Sequence, residues 1–247
     1  MRADSFWAAR MQTLVHLVYP PRCLSCGGLV ESDFGLCAEC WRDTPFIAGL
    51  GCDLCGVPLP GSSDHAEHCD ECLNIPRPWT HGRAALVYAD TGRRLVLSLK
   101  HGDRQDIARP AAQWMARRSR DLLRPDMIAV PVPLHLHRLL RRRYNQSALL
   151  AEHLARELGI DWCPDALERR EATPSLDGKD RNERFETLQG KINVPAWRTR
   201  MVEGRPVLLV DDVMTSGATL AACAEACLAA GATEVCVSVL ARVAKDA

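Results

Sequence analysis

Two sets of residues in this sequence have the types and the spacing to do chemistry. The first is cysteine. Eight of the twelve cysteines lie between Cys23 and Cys72 in four Cys-x2-Cys pairs: Cys23 and Cys26, Cys37 and Cys40, Cys52 and Cys55, Cys69 and Cys72. A Cys-x2-Cys turn aims two thiolates at one metal ion. A glycine directly after it, as at Gly27 and Gly56, can adopt the conformation that brings amides to the sulfurs. Two such turns complete a tetrahedral four-sulfur site, which is coordinatively closed, so its zinc would fold the segment and not act on a substrate. The second set lies near the other end, where the apolar run 207–210 leads to Asp211 and Asp212 and then to Thr215, Ser216, Gly217, Ala218 and Thr219. Adjacent carboxylates can accept hydrogen bonds from vicinal sugar hydroxyls. Small residues opening a helix present amides and hydroxyls to a phosphate, which the helix dipole favours. The combination suits a ribose 5-phosphate. The segment has no Gly-Lys-Ser/Thr ending of a Walker loop, which disfavours nucleoside triphosphate hydrolysis.

The cysteine knuckles repeat. Cys23-Leu-Ser-Cys26-Gly27 resembles Cys52-Asp-Leu-Cys55-Gly56, and Cys37-Ala-Glu-Cys40 resembles Cys69-Asp-Glu-Cys72. Sequential pairing into about two structural Zn2+ sites is therefore favoured. Crossed pairing of the first knuckle with the third, or replacement of a cysteine by His65 or His68, stays open. Redox chemistry has no obvious use for four tandem copies. Few large apolar residues fall between positions 20 and 78, and zinc, worth on the order of 10 kcal/mol of apparent binding energy, can replace the missing core.

These residues need elements to position them. At 247 residues, 47% hydrophobic and 25% charged, the chain can bury a sizeable core, which excludes a disordered, coiled-coil or collagen-like protein. Its zero net charge is a cancellation: residues 1–80 carry −5 and residues 81–247 carry +5. The first 19 residues read as a helix. Arg10 and His16 interrupt it and no small-residue cleavage site follows, so no secretory signal and no membrane span are expected. Twelve cysteines, eight of them in Cys-x2-Cys pairs, fit a reducing cytoplasm better than a secreted disulfide scaffold. The double zinc ribbon is expected over 20–78, with Pro76-Arg77-Pro78 as a linker, and a second domain over 82–247. In that domain strands are predicted at 84–89, 127–132, 206–210 and 234–240, and helices at 107–123, 147–158 and 218–230, with Gly231 closing the last helix. Such alternation argues for a parallel-sheet α/β domain whose ligands bind at the carboxyl ends of the strands. Cys163, Cys223, Cys227 and Cys236 read as core packing.

The segment 207–220 resembles the type I phosphoribosyltransferase signature. The whole chain looks like the ComF family of competence-associated, phosphoribosyltransferase-like proteins. Tandem Cys-x2-Cys knuckles are followed by Leu99-Lys100-His101-Gly102, then by Pro131-Val132-Pro133-Leu134 leading to Arg142-Arg143-Tyr144-Asn145-Gln146, then by the acidic loop. In that family an Arg-Gly-Phe-Asn-Gln-like motif is usual; here Arg143 stands where glycine is common and Tyr144 supplies the aromatic. The resemblance implies binding of 5-phosphoribosyl 1-diphosphate with Mg2+. Asp211 and Asp212 would lie at the ribose and metal, residues 215–219 at the phosphate, and Arg142, Arg143, Lys100, Arg181 and Arg184 at the diphosphate. The basic stretch after 169 would be the hood that closes over it. Read unaided, the arginines between a strand and a helix could hold pyrophosphate oxygens, or form a solvated basic face.

Two functions of different kind follow. One is transfer of phosphoribose to a nitrogen acceptor, driven by positioning and electrostatics, with no covalent nucleophile. The other is a non-catalytic role in DNA uptake, as a single-stranded-DNA-binding protein or an adaptor for DNA-translocation proteins; at 5% aromatic residues, stacking partners for bases are scarce. A nucleotide is an alternative ligand for the same cradle, and self-association into a homo-oligomer is left open.

Overall fold

The computed structural model describes residues 19–101, 104–135, 139–140, 143–169 and 190–244. The expected N-terminal helix falls almost wholly outside them. The chain groups into two compact units, Met1–Thr44 and Pro45–Ala247. The second cysteine quartet therefore shares a unit with the sheet, whereas the sequence placed the change of domain at 78–82.

In the first unit the Cys23 turn is closed by Gly27 N–H donating to Cys23 O (3.0 Å) and Cys23 N–H donating to Gly28 O (2.7 Å). The short helix α1 (Ala38–Arg42) carries Cys40 and is capped at its start by Cys37. The second quartet repeats the plan: Gly56 N–H donates to Cys52 O (2.8 Å) and Cys52 N–H to Val57 O (2.8 Å), with α2 (Asp70–Asn74) carrying Cys72. Gly27 and Gly56 both have left-handed backbones, φ 76° and 71°, which favour glycine.

The second unit is built on a five-stranded parallel sheet. Its strands are β1 (His81–Val87), β2 (Ile128–Pro131), β3 (Asp161–Trp162), β6 (Pro206–Met214) and β7 (Glu234–Arg242), in the order β1-β7-β6-β2-β3. A separate antiparallel pair joins β4 (Glu168–Arg169) to β5 (Ile192–Asn193). β7 is buried from Val235 to Arg242, and the apolar run of β6 from Val207 to Val210, as parallel strands covered on both faces require. Helices α4 (Ala108–Ser119), α5 (Gln146–Leu158) and α7 (Ala218–Ala229), the last preceded by the short α6 (Thr199–Val202), lie close to the predicted positions. Gly231, at φ 91°, follows α7 as expected. A helix absent from the sequence reading, α3 (Asp90–His101), buries Leu95, Val96 and Leu99. Cys163, Cys223, Cys227 and Cys236 are buried, as core residues should be.

The second ribbon is welded to the edge strand β1. Gly82 N–H donates to Asp53 O (2.7 Å), Ile47 N–H to Ala85 O (2.9 Å) and Val87 N–H to Pro45 O (2.9 Å), so the exposed edge of the sheet is covered. Trp79 is buried and donates its indole N–H to Leu54 O (2.6 Å). The approach is close enough that a Cβ on Gly56 would stand 2.5 Å from Ala84 N, and one on Gly82 2.3 Å from Leu54 O.

Candidate functional site

Each quartet has the donor set of a structural zinc. The four sulfurs of Cys23, Cys26, Cys37 and Cys40 lie within 4.8 Å of one another, as do those of Cys52, Cys55, Cys69 and Cys72. A tetrahedral ion with Zn–S bonds of about 2.3 Å spaces its sulfurs about 3.8 Å apart. Cys26 and Cys37 are separated by 3.8 Å and Cys55 and Cys69 by 3.6 Å, so the donors fit. Pairing is sequential, and His65 and His68 are exposed outside both quartets. Crowding sets the thiols against one another. At Cys23 burial opposes ionisation, yet amide hydrogen bonds bring the thiol down to about 6, while at Cys40 burial and the Cys37 thiol push it up to about 12. A divalent cation removes that conflict.

The acidic loop forms where β6 outruns β2. Pro131, the last residue of β2, pairs with Val210, so Asp211 and Asp212 project at the carboxyl end of the sheet. Asp211 accepts a hydrogen bond from Ser147 Oγ (2.8 Å) and Asp212 pairs with Lys100 Nζ (3.0 Å). Burial first, and the Asp212 carboxylate second, push Asp211 up to about 7, although Ser147 and Lys100 favour its ionised form. Beyond the acids, Asp211 and residues 213–220 line a small pocket, and Gly217 opens α7 with φ 81°.

The backbone of this loop is held from behind. Arg242 Nη1 donates to Met214 O (3.3 Å) and Thr215 O (2.7 Å), and Arg77 Nη1 donates to Ser216 O (2.7 Å). Both guanidinium groups are almost wholly buried. In a trans peptide the N–H points opposite to the C=O, and no cis bond occurs among the described residues. Three successive carbonyls turned toward the arginines therefore turn the amides of Thr215, Ser216 and Gly217 the other way. Successive N–H groups on one side of a turn, followed by a helix N-terminus, make an anion-binding concavity.

The Tyr144-Asn145-Gln146 motif is a brace for this site. Tyr144 Oη donates to Leu99 O (2.6 Å) and Gln146 Nε2 to Lys100 O (3.4 Å), fixing the end of α3 from which Lys100 reaches Asp212. Asn145 caps α5 by accepting from Ser147 N–H and donates to Val132 O (3.0 Å), which sets Ser147 under Asp211. Arg143 has φ 66°, so the arginine keeps the left-handed backbone that glycine would adopt there.

Of the residues singled out in the sequence, Asp211, Asp212, Thr215, Ser216, Gly217, Ala218, Thr219 and Lys100 come together. Arg143 is exposed at the start of the α5 segment. Arg142, Arg181 and Arg184 lie outside the described residues. Arg77, Arg242, Glu71 and Ser147 were not anticipated. Residues 76–78 do more than link, because Arg77 between the two prolines is buried against the loop.

No helix among the described residues is long and apolar enough to cross a membrane. Residues 14–73 match the double zinc ribbon domain and residues 145–247 the phosphoribosyl transferase domain. The chain is 35% identical over 235 residues to the DNA utilization protein YhgH of Escherichia coli (strain K12), covering 92% of this chain and 99% of that one. It is 30% identical to Competence protein F of Haemophilus influenzae, over 81% of this chain and 87% of the other. Competence protein ComFC of Bacillus subtilis is 25% identical over 78% and 77% of the two chains. With likeness of that extent, the chain belongs to the ComF family of competence-associated, phosphoribosyltransferase-like proteins.

Proposed function

We propose that the site at the end of β6 binds 5-phosphoribosyl 1-diphosphate together with Mg2+ and presents its C1 to a nitrogen acceptor. The observation that carries this reading is the inward turn of the 214–216 carbonyls, which turns the 215–217 amides to the opposite side, beside two carboxylates suited to the ribose hydroxyls. Mg2+ bound to the diphosphate would neutralise charge on the leaving group. The chain's own part is to hold the sugar. Asp211 and Asp212 accept from the 2′- and 3′-hydroxyls, residues 215–219 fix the 5′-phosphate, and Lys100 keeps positive charge beside the acids. Arg142, Arg143, Arg181 and Arg184 are assigned to the diphosphate. Transfer then rests on orientation and electrostatic stabilisation. The names of the relatives, DNA utilization and competence proteins, support a role of this activity in the handling of incoming DNA, in the cytoplasm.

Calorimetry with 5-phosphoribosyl 1-diphosphate and Mg2+ tests the reading. The Asp211→Asn/Asp212→Asn variant should lose binding by about a hundredfold, as two charge-assisted hydrogen-bond acceptors are removed. Unchanged binding would sink it. A double variant that instead retains single-stranded DNA with a steep salt dependence would shift the function to direct DNA binding.

A further inference from the structure

We propose that Arg77, Glu71 and Arg242 are positioning residues that tie the shape of the 214–217 loop to the zinc–thiolate charge of the second four-cysteine site. The inference rests on the reading of that loop as a phosphate cradle. Glu71 lies between Cys69 and Cys72 on α2, so the knuckle that binds the metal also fixes this carboxylate. Its two oxygens are divided between two buried guanidinium groups: Oε1 is 3.2 Å from Arg77 Nη2 and Oε2 is 2.9 Å from Arg242 Nη2. The other arms of the same groups hold Met214 O, Thr215 O and Ser216 O. One continuous chain of hydrogen bonds therefore runs from the knuckle to the loop.

Charge explains why these arginines tolerate burial. Burying two cations is costly, and one carboxylate cannot balance both. Four thiolates on one Zn2+ leave about two negative charges, which completes the balance. Glu71, held between Cys69 and Cys72, brings both guanidinium groups beside that charge. The Nε–H groups of Arg77 and Arg242 are buried and have no partner among the described residues, so a diffuse negative charge nearby is what they have to satisfy them. Gly217 is pressed against the relay, since a Cβ there would meet Arg77 Nη1 at 2.9 Å. When substitution at the knuckle removes the Glu71 carboxylate or one thiolate, the guanidinium groups reorient, the three carbonyls are released, and the amides no longer converge on one anion.

The test is hydrogen–deuterium exchange of the full chain, zinc-replete and without ligand, read on the peptide covering 214–220 and on the strand 127–132 as an internal control. Cys69→His retains zinc, because three cysteines and a histidine still form a structural site, but removes one negative charge. It should speed exchange at 214–220 by about tenfold, the loss of roughly one charge-assisted hydrogen bond, and leave 127–132 unchanged. Glu71→Gln, which keeps all four cysteines, should do the same, and Cys37→His in the first quartet should not. Unaltered exchange at 214–220 in Glu71→Gln overturns the proposal, as does an equal rise in both peptides. Wild-type protein that fails to bind 5-phosphoribosyl 1-diphosphate would overturn the cradle reading, while the exchange result still judges the relay.

Discussion

The two four-cysteine sites share a sequence repeat and a backbone plan, yet they are embedded differently. In the first, the turn around Cys23 and the helix Ala38–Arg42 close on their own loop; Cys26 is exposed, and Leu29, Phe34 and Trp41 stay largely in water. In the second, Cys52 and Cys55 are fully buried, two buried arginines hold Glu71 of the knuckle, and the ribbon covers the edge of β1. The same metal-binding unit thus serves once as a small self-contained fold and once as part of a larger core. What decides is the residues other than the cysteines. Asp53, Trp79, Gly82 and Arg242 give the second ribbon partners on the sheet.

The hardest test of that difference is to remove one ligand from each quartet. Cys69→Ser should destabilise the sheet-bearing unit by on the order of 5 kcal/mol, since zinc-binding energy there is also folding energy for the edge of the sheet. Cys37→Ser should release one zinc but move the unfolding of the sheet by less than about 0.5 kcal/mol. Thermal unfolding with zinc content measured alongside decides; equal losses in both variants would erase the distinction. A finer cut uses the glycines that follow the first cysteine pair of each repeat. Alanine at Gly27 meets nothing within 4 Å, so only its left-handed backbone resists, at about 1 kcal/mol. Alanine at Gly56 bears the same strain and also strikes Ala84 N at 2.5 Å, which raises the loss to on the order of 3 kcal/mol. Urea unfolding of the two variants isolates the packing of ribbon on strand, because the backbone conformation is common to both.

What was legible in the sequence follows from the range of the forces involved. The cysteine spacing defined both quartets because a metal site is written in a few local residues. The strand, paired acids and small-residue loop at 207–220 defined the second site for the same reason. The helix Asp90–His101 was missed because its apolar stripe, Leu95, Val96 and Leu99, is short and set among Arg93, Arg94 and Lys100. Arg77 and Arg242 were illegible for a different reason. Their partners are backbone carbonyls and a carboxylate up to 171 residues away, so no spacing marks them. The prolines around Arg77 read as a linker, and the buried side chain between them gave no local sign. At Arg143 the sequence showed a departure from glycine, but the surrounding structure holds the left-handed backbone regardless.

The smallest expected effect concerns the ion pairs between the second ribbon and β1. Asp53 Oδ2 is 2.7 Å from His81 Nδ1 and its Oδ1 is 2.7 Å from Arg83 Nη2. Burial alone would raise its pKa, but hydrogen bonds from Arg83 and His81 outweigh that and hold the carboxyl below the usual aspartate range. A carboxylate whose pKa is lower in the folded state stabilises the fold at any pH above its unfolded value, about 3.9, and loses that contribution as pH falls through the folded value. Asp53→Asn should therefore lose about 1 kcal/mol at pH 7 and progressively less than that below pH 4, where the wild-type carboxyl is itself being protonated. The check is a pair of urea-unfolding curves, one at pH 7 and one at pH 3. If the variant and the wild type differ as much at pH 3 as at pH 7, the pairs hold the ribbon by shape and not by charge. Electrostatics would then be confined to the metal side of the ribbon, where Arg77 and Arg242 lie.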